Sequence, residues 1–268
     1  MADHAWLFAP LCCGLLALVC NLILGRQVLQ RGIIFIDLAM AQVAALGMLM
    51  MQLFTTTSLG LWLAEYAWLP LLGACVLALL VGALIAWLET KRVDHLEALI
   101  GIFYVLAACV AIVLVSQAPH AHEQAMGLLH GQLLWSDWGD VSWLAGLAAL
   151  LLCVNRLRPN WLNGVGFYAL FALSIPLLVQ SLGVYLEFAM LVVPAVACTY
   201  CAVKYRALAA WLIGLLGLLA GFALSLWFDW PSGPAIVVMI GVAALLIPAL
   251  VRMISVSGNA RLRTKSIA

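Results

Sequence analysis

From Trp6 to Val251 the sequence is a succession of apolar stretches of membrane-spanning length separated by short polar breaks, a pattern that leaves a chain few folds. The stretches run Trp6–Leu24, Ile33–Phe54, Leu69–Leu88, Leu96–Val115, Trp143–Val154 with a short preceding piece, Trp161–Val179, Val184–Tyr200, Leu208–Phe228 and Ala235–Val251. A bilayer core takes about 20 apolar residues per helix, and inside it the backbone must satisfy its own hydrogen bonds. With 67% apolar and 9% charged residues, the 268-residue chain has too few polar side chains to cover a water-facing surface. The expectation is an all-α integral membrane protein, a single polytopic helical bundle over residues 1–268 with nine transmembrane helices. The weakest stretch is Met126–Val154, where Gly127, Gly131, Gly139, Asp137 and Asp140 interrupt the hydrophobicity. It reads as a short outer or re-entrant segment at about 126–142 leading into span five, so eight full spans is the alternative. No length remains for an aqueous catalytic domain.

Charge placement tests this division. Arg26 and Arg31 follow span one, Lys91 and Arg92 span three, Arg156 and Arg158 span five, Lys204 and Arg206 span seven, and Arg252, Arg261, Arg263 and Lys265 span nine. All twelve fall on one side, which the positive-inside rule makes cytoplasmic, with the N-terminus outside and a cytoplasmic tail at 252–268. The N-terminal residues lack the basic region of a cleavable signal, so the first stretch is expected to stay as a span. A net charge of +1 gives no bulk attraction to nucleic acid, and no such partner is expected.

The opposite face carries Asp3, Glu65, Glu123, Asp137, Asp140 and Asp229 with His4, His120, His122 and His130, and no lysine or arginine. An acidic, histidine-bearing mouth favours a cation, although positive-inside bias alone also clears basic residues from outer loops. His120, His122 and Glu123 stand together, and imidazole with carboxylate suits zinc and its neighbours; the alternative is an incidental polar loop. His122-Glu123 opens an H-E-x-x-H pattern, but Met126 replaces the second histidine and no nucleophile elbow occurs, so a hydrolase is poorly supported. Eight cysteines all lie in apolar runs and read as small hydrophobes. The pair Cys198 and Cys201 has C-x-x-C spacing without the second pair a zinc ribbon needs.

Acids inside spans are costly and face packed interiors or water-filled paths. Asp37 lies early in span two, close enough to Arg31 to be neutralised by it. Glu187, early in span seven, has no basic neighbour. Glu97 opens span four near Lys91 and Arg92. The small residues Ala39, Ala41, Ala44, Ala45 and Gly47 mark span two as a close-packed, pore-adjacent helix.

The run Arg31-Gly-Ile-Ile-Phe-Ile-Asp37-Leu-Ala-Met-Ala-Gln42-Val-Ala-Ala-Leu-Gly47 resembles the second-helix signature of the zinc/manganese-type ABC transporter permeases, the ZnuB-like family. Leu96-Glu97-Ala-Leu-Ile-Gly101, His130-Gly-Gln-Leu-Leu-Trp135, Gly183 through Pro194-Ala195, and Asp229-Trp-Pro-Ser-Gly-Pro234 are similar to further family segments in the same order. The resemblance covers about Pro10 to Arg252. It implies a homodimeric importer permease in the bacterial inner membrane, served by a cytoplasmic ABC ATPase and by a periplasmic or lipid-anchored metal-binding protein. It also implies that the chain binds no cofactor and is no enzyme. ATP is used by the partner, in agreement with the lack of a phosphate-binding G-x-x-x-x-G-K-[ST] loop. The cargo implied is a divalent metal, zinc first, with manganese or chelated iron as the alternative and a secondary cation transporter further off. In the family the segment after the G-to-P-A helix docks the ATPase, here about 199–208 with Lys204, Tyr205 and Arg206.

One departure concerns the metal path. The family's second helix carries an acid and a histidine four residues apart, and alignment on Arg31 puts Leu38 and Gln42 there. Asp37 is displaced by one residue, and five residues separate it from Gln42 by about 140° around a regular helix. Metal-path candidates are therefore Asp37, Gln42, Glu187, His120, His122 and Glu123.

Overall fold

A computed structural model describes residues 4–55, 66, 68–116 and 133–265. The regular elements among the described residues are helical: α1 Phe8–Arg31, α2 Ile36–Thr55, α3 Leu69–Thr90, α4 Leu96–Val115, α5 Trp138–Leu157, the short α6 Pro159–Asn163, α7 Gly166–Leu182, α8 Val184–Ala197, α9 Arg206–Phe228 and α10 Ser232–Lys265. Single 3-10 turns at Leu133–Trp135, Cys198–Tyr200 and Val203–Tyr205 link some of them.

Among the described residues seven segments are long and apolar enough to cross a membrane, those of α1 to α5, Val203–Phe228 and Ser232–Val251, and α7 with α8 makes eight if that bent pair counts as one span. The described residues thus hold seven or eight spans, against the nine expected and the alternative of eight. At 17 and 14 residues, α7 and α8 are each shorter than the roughly 20 residues a full crossing needs. The cause is Gly183, whose φ of 81° and ψ of 160° form a backbone state essentially closed to side-chain-bearing residues. There the chain turns by 118°. Both free ends of the pair reach the same end of the bundle. Gly164, just before α7, accepts a hydrogen bond from Arg31, while Cys198 and Thr199, just after α8, line a cleft with Arg26 and Gln30 of α1.

The later part of the stretch that looked weakest in sequence belongs to α5, a helix of 20 residues. Asp137 is its N-cap: Asp140 N–H donates to Asp137 Oδ1 at 3.0 Å, and Asp137 N–H donates to Asp140 Oδ2 at 3.2 Å. This reciprocal capping box satisfies donors that the first helical turn leaves open. The two acids start the helix instead of interrupting it. Residues 126–132 of the expected outer segment lie outside the described residues.

Small residues set the core spacing. A Cβ on Gly47 of α2 would lie 2.5 Å from Gly73 O of α3, so these backbones touch as membrane helices with small residues do. Gly217 and Gly221 of α9 seat on Ile240 and Ile236 of α10 in the same way. Helix α2 packs on α3, α4, α7 and α8, and α1 packs on α5 and α8, which places α1, α2, α7 and α8 at the centre. In α4 only Ile100 and Ala107 are buried; Ile102, Val105, Leu106 and Ile112 face outward, as lipid contact allows.

Arg31 binds one end of the bundle together. Its Nη1 meets Glu89 Oε1 at 2.7 Å and Oε2 at 3.0 Å, and its Nη2 donates to Gly164 O at 2.8 Å and Leu162 O at 3.3 Å. The guanidinium also lies 4.8 Å from the Phe167 ring centre and 5.2 Å from that of Tyr168. One planar fork thereby joins the end of α1, the end of α3 and the connection into α7, a task for which a point-charged lysine has the wrong shape.

Candidate functional site

Two buried acids from distant parts of the sequence lie on α2 and α8, helices that pack on each other inside this bundle. Glu187, in the first turn of α8, is fully buried, and Asp37, in the first turn of α2, is 1% exposed. Each carboxyl sits at a helix N-terminus, where exposed N–H groups and the helix dipole favour negative charge. The Gly183 break supplies one of those two N-termini, inside the protein where irregular backbone is tolerated.

Glu187 has a polar partner on α1. Asn21 of α1 is fully buried, and its Nδ2 donates to Glu187 Oε2 at 2.8 Å. Ten residues separate Asn21 from Arg31 at the helix end, which puts this contact about 15 Å along α1 from that end. Among the described residues, Asn21 Oδ1, Asp37 Oδ1 and Glu187 Oε1 have no hydrogen-bond partner. Buried oxygens left so are expensive in a medium without water. Each such oxygen can attract a proton or a cation.

The expectation that Arg31 neutralises Asp37 is corrected, since Arg31 is engaged by Glu89 and two carbonyls. Gln42 is half-buried further along α2. His120, His122 and Glu123 lie outside the described residues. Among the described residues no three His, Cys, Asp or Glu side chains form a set able to hold a metal ion. Asp37 and Glu187 therefore lack the donors of a closed metal site. Lys204, Tyr205 and Arg206 are exposed on the turn between α8 and α9. Arg206 stiffens that turn, donating from Nε to Cys201 O at 3.0 Å and from Nη2 to Thr199 O at 3.1 Å.

Sequence reasoning missed Asn21. An asparagine in mid-span is a signal in its own right, because an amide in hydrocarbon needs a partner.

The sequence pattern of the ABC 3 transport family matches residues 4–162 and 154–252. This chain belongs to the ABC 3 transport family. It is the membrane permease of an ABC transporter and no enzyme itself, as the sequence motifs implied. Among curated relatives, a probable metal transport system membrane protein of Chlamydia pneumoniae is 25% identical over 207 residues, covering 68% of this chain and 71% of the relative. The high-affinity zinc uptake system membrane protein ZnuB of Haemophilus influenzae is 22% identical over 192 residues, covering 63% of this chain and 73% of ZnuB. The solved structure of PsaBC from Streptococcus pneumoniae in complex with Fab superposes with a TM-score of 0.68 at 17% identity, covering 91% of both chains. The ABC 3 fold is thus shared far beyond the level at which side chains agree, so the buried Asn21, Asp37 and Glu187 must be argued from their own chemistry.

Proposed function

We propose that this ABC 3 permease carries a divalent transition metal, zinc first, into the bacterial cytoplasm. It works as a homodimer in the inner membrane, with a separate cytoplasmic ATPase and an external metal-binding protein. The observation that carries the reading is that two buried acids, Asp37 and Glu187, stand on helices packed together in a chain that matches the family over nearly its whole length. The names of the relatives from Chlamydia and Haemophilus support a metal cargo, and the latter supports zinc. All basic residues gather in the segments that follow alternate spans, which supports an outside N-terminus and a cytoplasmic Arg31 end. The exposed, braced turn bearing Lys204, Tyr205 and Arg206 then faces the cytoplasm as the ATPase dock. His120, His122 and Glu123 face the binding protein at the outer mouth.

Manganese is the second reading, and the oxygen atoms of Asn21, Asp37 and Glu187 favour it. An all-oxygen set suits manganese, whereas imidazole suits zinc. The test is uptake of radioactive zinc and manganese by cells deleted for the gene and complemented with it. Saturable, gene-dependent zinc uptake is expected; gene-dependent manganese uptake with no zinc uptake would select the second reading. Co-purification with an ATPase that is lost in a Tyr205→Glu, Arg206→Glu variant tests the dock. A complex that survives that change places the dock elsewhere.

A further inference from the structure

A cleft of about 490 Å³ opens between α1, α5, α8 and α9, and its chemistry is wrong for a cation. Arg26 and Arg206 both line it, and among the described residues no aspartate or glutamate does. Among the described residues neither guanidinium is in an ion pair; the ion pair described is that of Arg31. Gln30, Asn155 and Thr199 add neutral hydrogen-bonding groups to the same rim, while Leu22, Leu191 and Trp211 supply apolar wall. A divalent metal would be repelled by two arginines and offered no carboxylate, so this cleft lies off the metal path.

Depth supplies the second half of the argument. Arg26 is five residues before the end of α1, about 7.5 Å along the axis, and Arg206 is the first residue of α9. Both charges therefore sit at the level where a bilayer's headgroups meet its hydrocarbon. The apolar wall continues inward from them, since Leu22 is one helical turn deeper than Arg26. Positive charge at the rim, amide and hydroxyl groups beside it and hydrocarbon-compatible surface below match one kind of molecule, an amphiphile with an anionic phosphate head.

We infer that this cleft is a binding site for an anionic phospholipid, with Arg26 and Arg206 holding the phosphate and the α1–α8–α9 wall receiving the first part of an acyl chain. A lipid seated there would buttress the turn between α8 and α9, because Thr199, Val203 and Arg206 belong at once to the cleft and to that turn.

The experiment uses the full-length protein purified in detergent, incubated with phosphatidylglycerol or phosphatidylcholine and examined by native mass spectrometry. Phosphatidylglycerol should be retained in preference to phosphatidylcholine. Arg26→Gln should weaken its retention about fivefold, the effect of one interfacial charge, while Arg26→Lys largely restores it. Arg158→Gln, which removes an exposed charge outside the cleft, should leave retention unchanged, and melting temperatures identify any variant that fails to fold. Equal retention of both lipids, or equal loss in Arg26→Gln and Arg158→Gln, overturns the proposal. Displacement of phosphatidylglycerol by excess inorganic phosphate alone overturns it in favour of a soluble anion.

Discussion

Asn21 and Glu187 are 166 residues apart in sequence, yet the amide nitrogen of the first lies 2.8 Å from a carboxyl oxygen of the second, with both side chains fully buried. This contact fixes α1 against α8 just beyond the Gly183 break and determines which Glu187 oxygen stays available. Removing the donor leaves a buried carboxyl without its neutral partner, which costs about 1–3 kcal/mol. Asn21→Leu is therefore expected to lower the melting temperature in detergent. Glu187→Gln can keep an amide-to-amide hydrogen bond and should leave stability nearly unchanged while reducing metal uptake at least tenfold. Wild-type uptake in Glu187→Gln at equal membrane abundance would remove the glutamate from the path.

Arg31 and Glu89 form a part-buried pair with side-chain exposures of 12% and 33%. The arginine also holds two carbonyls and lies against two rings, so its loss strands more groups than the loss of Glu89 does. Arg31→Lys should destabilise by about 2–4 kcal/mol and Glu89→Gln by about 1 kcal/mol, after allowance for the glutamate's partial exposure. Thermal unfolding of both variants measures the ratio, and equal effects would mean that the pair alone, without the carbonyl contacts, holds the turns together.

Gly32 and Gly183 both have positive φ, at 68° and 81°, but in different regions. Gly32 is a left-handed C-cap with nothing within 4 Å of an added Cβ, so alanine there costs about 1 kcal/mol and leaves uptake intact. Gly183 has ψ of 160°, where side chains are not tolerated, and it sets the start of α8 four residues before Glu187. Gly183→Ala should relieve strain by changing the bend, with loss of transport beyond any loss of stability. Uptake and melting temperature measured on the same two variants separate these effects.

Hydropathy alone located most of the helices because lipid rewards each apolar span independently of its neighbours. It misplaced the weakness of the pattern for local reasons. Asp137 and Asp140 look like interruptions until their reciprocal capping is seen, and Val184–Tyr200 looks like a separate crossing until the backbone at Gly183 is seen. The acids Asp37 and Glu187 were visible as expensive residues, but the packing of their helices was not, since nothing in a linear pattern brings α2 against α8. Arg31 misled for the same reason: six residues from Asp37 in sequence, it turns instead to α3 and the entry to α7.

The last prediction separates the two halves of the metal route. Asp37 is buried inside the bundle, so on the proposed metal path Asp37→Asn removes charge from an interior step, and its effect should be independent of external metal concentration. His120, His122 and Glu123, if they receive metal from a binding protein at the outer mouth, act on capture, and capture limits transport only when metal is scarce. The pair of variants should then divide cleanly in uptake kinetics: Asp37→Asn lowers the maximal rate with little change in half-saturation, while His120→Ala with His122→Ala raises half-saturation and spares the maximal rate. Zinc-starved cells provide the measurement at equal membrane abundance. A raised half-saturation in Asp37→Asn with an intact maximal rate would place Asp37 at capture instead of in the interior step, and unchanged kinetics in the histidine variant would leave the outer loop with no part in transfer.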